Sequence, residues 1–160
     1  MAVVAVSLIS CKKDDDGGGG GAASGTVQAK VAGSNYKSDS ALTSAIRTDA
    51  NGTSSVIITA NTMNGRNISL SIMGGFDGVG SYNIGGGANV FGNASYTEID
   101  VSNPSDAEIW SAPFDATVAG EINVSEVSDT KIKGTFNFRG KNDDGSFKEI
   151  TEGSFNVDFQ

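Results

Sequence analysis

The sequence contains no histidine, and only one cysteine in 160 residues. Without histidine there is no Ser-His or Cys-His nucleophile pair and no histidine-ligated zinc or iron site. A single cysteine allows no internal disulfide. Proline occurs twice and tryptophan once, as Trp110. Long hydrophobic runs are also missing. The apolar segment at residues 2–9 (AVVAVSLI) falls well short of the ~20 residues that cross a bilayer as a helix. Basic charge is scarce, with 11 Lys and Arg against 19 Asp and Glu, a net charge of −8. Such a balance argues against nucleic acid, whose phosphates demand a basic surface, and against electrostatic docking on anionic lipid. Solubility is its simplest use.

Glycine is abundant, at 22 residues, and it punctuates stretches that alternate apolar and polar side chains. Val27, Ala29 and Val31 alternate before Gly33-Ser34-Asn35 offers a turn. Residues 41–46 read as a weaker strand, and Asn51-Gly52 is a strong hairpin signal. Residues 56–60 and Ile68, Leu70, Ile72 form the next pair through Asn64-Gly65. Tyr82 and Ile84, Val90-Phe91 and residues 96–101 continue the pattern. Residues 103–112 are the least regular, and Ser105-Asp106-Ala107-Glu108 suggests one short helical turn. Alternation returns at Val118, Gly120, Ile122, Val124 and at Ile132, Gly134, Phe136, Phe138. After a turn at residues 142–145 come residues 147–151 and then Phe155, Val157, Phe159. About nine or ten short strands without a long helical period predict an all-β fold, a single antiparallel β-sandwich or barrel-like domain. Residues 26–160 fit one such domain, of a size able to bury a core without disulfides or metals.

Upstream of that domain, the chemistry is of another kind. The run at 2–9 has the length of a secretory h-region, and Leu8-Ile9-Ser10-Cys11 resembles the lipobox of bacterial lipoproteins. There the chain is cut before the cysteine and the thiol receives a diacylglyceryl group. The resemblance makes residues 1–10 a signal peptide and Cys11 the lipidation site, with membrane anchoring through two or three acyl chains. A secretory signal opens on Lys or Arg, and none precedes the run here, so the start codon is expected to lie further upstream. Lys12-Lys13-Asp14-Asp15-Asp16 resembles the tract behind the lipidated cysteine of many Bacteroidetes lipoproteins. In that group Lys13, Asp14 and Asp15 match an export signal for the outer leaflet. The glycines at 17–21 complete a flexible tether over residues 11–25, whose Gly-rich coil reaches roughly 20 Å.

Ala29-Lys30-Val31-Ala32-Gly33 with Tyr36, Gly80-Ser81-Tyr82-Asn83-Ile84 and Gly120-Glu121-Ile122-Asn123-Val124 carry a wider resemblance. So do Lys133-Gly134-Thr135-Phe136-Asn137-Phe138 and Gly153-Ser154-Phe155-Asn156-Val157. Together they resemble an uncharacterised family of Bacteroidetes lipoproteins with a lipobox, an acidic tether and one β domain. The resemblance implies an outer-membrane address, facing the cell surface, and no activity. Asp39-Ser40-Ala41 is similar to the general O-glycosylation acceptor of the same bacterial group, which implies modification of Ser40.

Candidate chemistry within the domain is thin. Glu98 and Asp100 sit two apart, so a strand puts them on one face, the arrangement an acid–base pair for glycoside hydrolysis requires. With Ile99 and Val101 then facing the core, a solvated outer face is the simpler reading. An EF-hand aligned on Gly145 starts at Gly140 and ends at Thr151, and one aligned on Gly52 starts at Arg47 and ends at Ile58. Neither supplies the required Asp and Glu. Asp143 and Asp144 suit a hairpin turn better than an oxygen-only calcium site. Gly78-Val79-Gly80 and Gly85-Gly86-Gly87 precede neither a helix nor Gly-Lys-Ser/Thr, so they are strand corners and not a phosphate loop. Trp110 and Tyr96 are the candidates for stacking a sugar ring, although Trp110 and Phe114 suit a core plug better. The expectation is a monomeric, non-enzymatic surface lipoprotein without a cofactor, whose β domain has a binding or structural role, with a glycan or a protein as its partner.

Overall fold

A computed structural model describes residues 21–87 and 91–160. The signal segment, Cys11, Lys13, Asp14, Asp15, the tether through residue 20 and Val90 lie outside the described residues. Among the described residues eleven strands follow one another: β1 Thr26–Val31, β2 Ser34–Lys37, β3 Thr43–Ala50, β4 Thr53–Asn61, β5 Arg66–Ile72 and β6 Gly80–Gly85. After them come β7 Gly92–Glu98, β8 Glu108–Ala112, β9 Val118–Val127, β10 Lys131–Lys141 and β11 Phe147–Asp158. A single 3₁₀ turn, Ser40–Leu42, separates β2 from β3.

All strands share one sheet in the order β2-β1-β11-β10-β9-β6-β7-β5-β4-β3, with β8 bridging β7 and β10. That bridge closes β6, β7, β8, β10 and β9 into a small barrel, and the remaining strands extend its sheet. The free flanks then meet, because Ala45 of β3 pairs in parallel with Phe159 and the Gln160 amide donates to Ala45 O at 3.0 Å. Between sandwich and barrel, the closed ring decides for the barrel.

Alternation governs which side chains go inside. Val27, Ala29 and Val31 of β1 are buried, as are Ile68, Leu70 and Ile72 of β5 and Ile132, Phe136 and Phe138 of β10. Each fully buried Ile or Phe contributes ~2–3 kcal/mol. The gap enclosed by Val56, Leu70, Ile122, Val124, Ile132 and Phe155 has no room for a water molecule. The core is thus tightly packed where β4 and β5 face β9, β10 and β11.

Two elements differ from the sequence expectation. No helical turn forms at residues 105–108; turns closed by Asn103 N to Asp100 O and Asp106 N to Asn103 O lead into β8. The strand prevails because pairing with β7 buries Trp110 and Ala112. Residues 34–35, read as part of a turn, begin β2 instead, since Ala32 and Gly33 take the positive φ values that make the reversal. The predicted turns at Asn51-Gly52 and at residues 142–145 form as expected.

Candidate functional site

Trp110 and Tyr96 do not form an exposed platform. They are cross-strand partners on the inward face, 3% and 1% exposed, with ring centroids 5.9 Å apart. Tyr36 packs edge-on to Tyr96 at 6.3 Å, and Lys148 Nζ lies 3.7 Å from the Trp110 centroid. Trp110 Nε1 donates to Ser146 Oγ at 3.1 Å. The rings plug the core, and sugar stacking at these two positions is excluded by their burial.

Glu98 and Asp100 also part company. Glu98 follows Tyr96 by two residues and shares its inward face at the last position of β7. There its carboxylate accepts from Tyr96 Oη and from Lys148 Nζ, both at 2.7 Å. Partial burial pushes its pKa upward, but the bonds from Lys148 and Tyr96 and the charges of Lys148 and Arg66 outweigh that and hold it low. Asp100 lies past the strand end, accepts from the Ser102 hydroxyl and amide, and is held low by them. Because β7 stops at Glu98, Ile99 and Val101 are exposed and do not face the core. Asp144 closes the predicted hairpin turn by accepting from Ser146 N at 2.7 Å. Among the described residues no three acidic or thiol side chains gather as a metal site. Ser40 is exposed on its 3₁₀ turn, and the preceding Asp39 accepts from the Met63 amide at 2.7 Å.

A groove that no sequence motif marked lies on the outer face of the sheet. The outward residues of β5 are Ser69 and Ser71, those of β7 are Asn93 and Ser95, and β8 adds Ser111. Register sets Ser69 opposite Ser95, Ser71 opposite Asn93 and Ser95 opposite Ser111. With Pro113 these residues line an open concavity of about 280 Å³. Small side chains leave the hollow open, and no charged side chain lines it. Beside it, Phe114 follows Pro113 and packs edge-on against Phe147, centroids 5.4 Å apart. Arg139 lies 3.8 Å above the Phe147 ring, which stays 42% exposed.

The family model for a domain of unknown function, DUF6252, matches residues 23–157. The chain belongs to the DUF6252 family. No curated protein and no solved structure matches the chain. Every groove residue and both rim aromatics fall inside the DUF6252 match. Chemically, the DUF6252 groove offers hydroxyls that donate and accept and one amide that does both, a lining suited to a polar, hydroxyl-bearing ligand. The polar half of the alternation was visible in Ser69, Ser71, Asn93 and Ser95. That β5, β7 and β8 are neighbours has no local signal, because residues 108–112 lack the apolar alternation of a strand.

Proposed function

We propose that the chain is a non-catalytic, lipid-anchored cell-envelope protein at the outer membrane, displayed on the cell surface, whose β domain binds a ligand. The observation that carries this reading is Cys11, the one cysteine, set behind an apolar segment and ahead of Lys13-Asp14-Asp15. The groove of about 280 Å³ supports a binding role over a purely structural one. Its hydroxyl and amide lining, with an aromatic pair at the rim, favours glycan capture as the form that binding takes.

The test of the anchor is metabolic labelling with an alkynyl fatty acid. The wild-type chain is expected to take up label and fractionate with membranes, and Cys11→Ser to lose both. A Cys11→Ser chain that stays labelled and membrane-bound would overturn the proposal. The binding role is read by applying full-length Cys11→Ser chain to a glycan array, alongside Ser95→Leu, which fills the groove.

A further inference from the structure

We infer that the groove recognises an acidic saccharide, with Lys141 holding its carboxylate. The inference rests on the glycan reading above and names the ligand class. Ser69, Ser95, Ser111 and Lys141 are successive cross-strand partners over β5, β7, β8 and β10. Direct partners in an antiparallel ladder project to the same face, so the Lys141 stem stands beside Ser111 at the groove rim. At ~4.8 Å per strand the row spans roughly 14 Å.

Lys141 differs from the other cations of β10 and β11. Lys131, Lys133, Arg139 and Lys148 each lie within 4 Å of a carboxylate: Asp158, Glu126, Glu149 and Glu98 respectively. Lys141 pairs with none among the described residues; its Nζ sits 5.9 Å from the Phe147 centroid. Asp115, whose charge it feels, is already engaged by the Thr117 amide and hydroxyl. Next to the uncharged groove, register places an ammonium with no carboxylate partner among the described residues and then the exposed Phe147 ring, so three contacts are on offer: hydroxyl bonds, an apolar edge and a single positive charge. A uronic acid residue presents all three complements. The net charge of −8 repels such a ligand at long range, so recognition depends on the local contact with Lys141.

The experiment measures binding of the full-length Cys11→Ser chain to a panel of uronate oligosaccharides, each paired with its neutral methyl ester. The expected result is at least one acid bound tenfold or more above its ester, with Lys141→Gln levelling the two. Ser95→Leu should remove binding of both forms, and Ser111→Leu serves if that variant does not fold. Equal affinity for acid and ester, or a preference that survives Lys141→Gln, overturns the acidic assignment and leaves glycan binding standing. Silence from the whole panel overturns the acidic assignment; the array then decides the glycan reading separately.

Discussion

Lys148 Nζ sits 2.7 Å from Glu98 Oε1 and 3.7 Å from the Trp110 centroid, so one ammonium serves an ion pair and a cation–π contact at once. The Lys148 side chain is 21% exposed and that of Glu98 38%, so solvent screens the pair only in part. Lys148→Met keeps the apolar stem and removes the charge. It is expected to lower unfolding free energy by about 1–2 kcal/mol in urea titration. The pH profile supplies a second reading. Glu98 has a folded pKa below its unfolded one, so its contribution is present above about pH 4–5 and is lost as pH falls through the folded value. Lys148→Met should therefore flatten the acid limb of stability against pH.

Phe155 lies directly opposite Gly134 on the β10–β11 ladder, and Phe136 directly opposite Gly153. Each ring fills the space over its glycine: a Cβ on Gly134 would meet Phe155 Cζ at 2.5 Å and collide with the Asn123 carbonyl. Gly134→Ala is expected to cost about 2–3 kcal/mol in denaturant unfolding. Gly33→Ala meets no atom within 4 Å but keeps φ +82, and should cost only about 1 kcal/mol through backbone strain.

Burial pushes the phenols of Tyr36 and Tyr96 well above the ordinary tyrosine value, and Glu98 raises Tyr96 further. The neutral phenols are also hydrogen-bonded, Tyr36 Oη donating to Ala60 O at 2.6 Å. With folded pKa values above unfolded ones, their stabilising effect is complete below about pH 10 and is lost as pH rises beyond it. Alkaline titration followed by phenolate absorbance should show these two tyrosines ionising late, in one step with the loss of Trp110 burial. Two independent early steps would contradict the burial described.

Replacing Lys13, Asp14 and Asp15 together by Ala should leave fatty-acid labelling intact and lower protease accessibility on intact cells. The measurement is shaving of whole cells followed by immunoblotting. Unchanged cleavage would count against an export role for this tract.

Much of the barrel was legible because alternation is a local property. Val27, Ala29, Val31, Ile68, Leu70, Ile72 and Phe136 all announced their face by parity, and all are buried as that parity requires. Strand β8 was not legible: Glu108–Ala112 carries Ile109, Trp110 and Ala112 without clean alternation, and its inward face becomes evident only with Tyr96 beside it. Ile99 and Val101 suggest a strand running to residue 101 with Glu98 outward, but β7 ends at Glu98 and its parity follows Tyr96 inward. The groove was hidden for a different reason. Serine alternating on a strand is the ordinary solvated face, and only the lateral order β5, β7, β8 makes it a hollow.

Thr26 pairs with Asn156, at opposite ends of the domain. At roughly 5–20 residues per second, the leading strand leaves the ribosome many seconds before that partner exists. Until β11 is made, β1 has only the four residues of β2 beside it, and the seam at Ala45 has nothing to bind. Strands β3, β4, β5 and β7 can pair as they emerge, but the ring of strands cannot close until the final residues arrive. The chain's last dozen residues therefore act as the closing piece of the whole sheet, joining β1 to β10 and sealing the seam at Ala45 in one stroke.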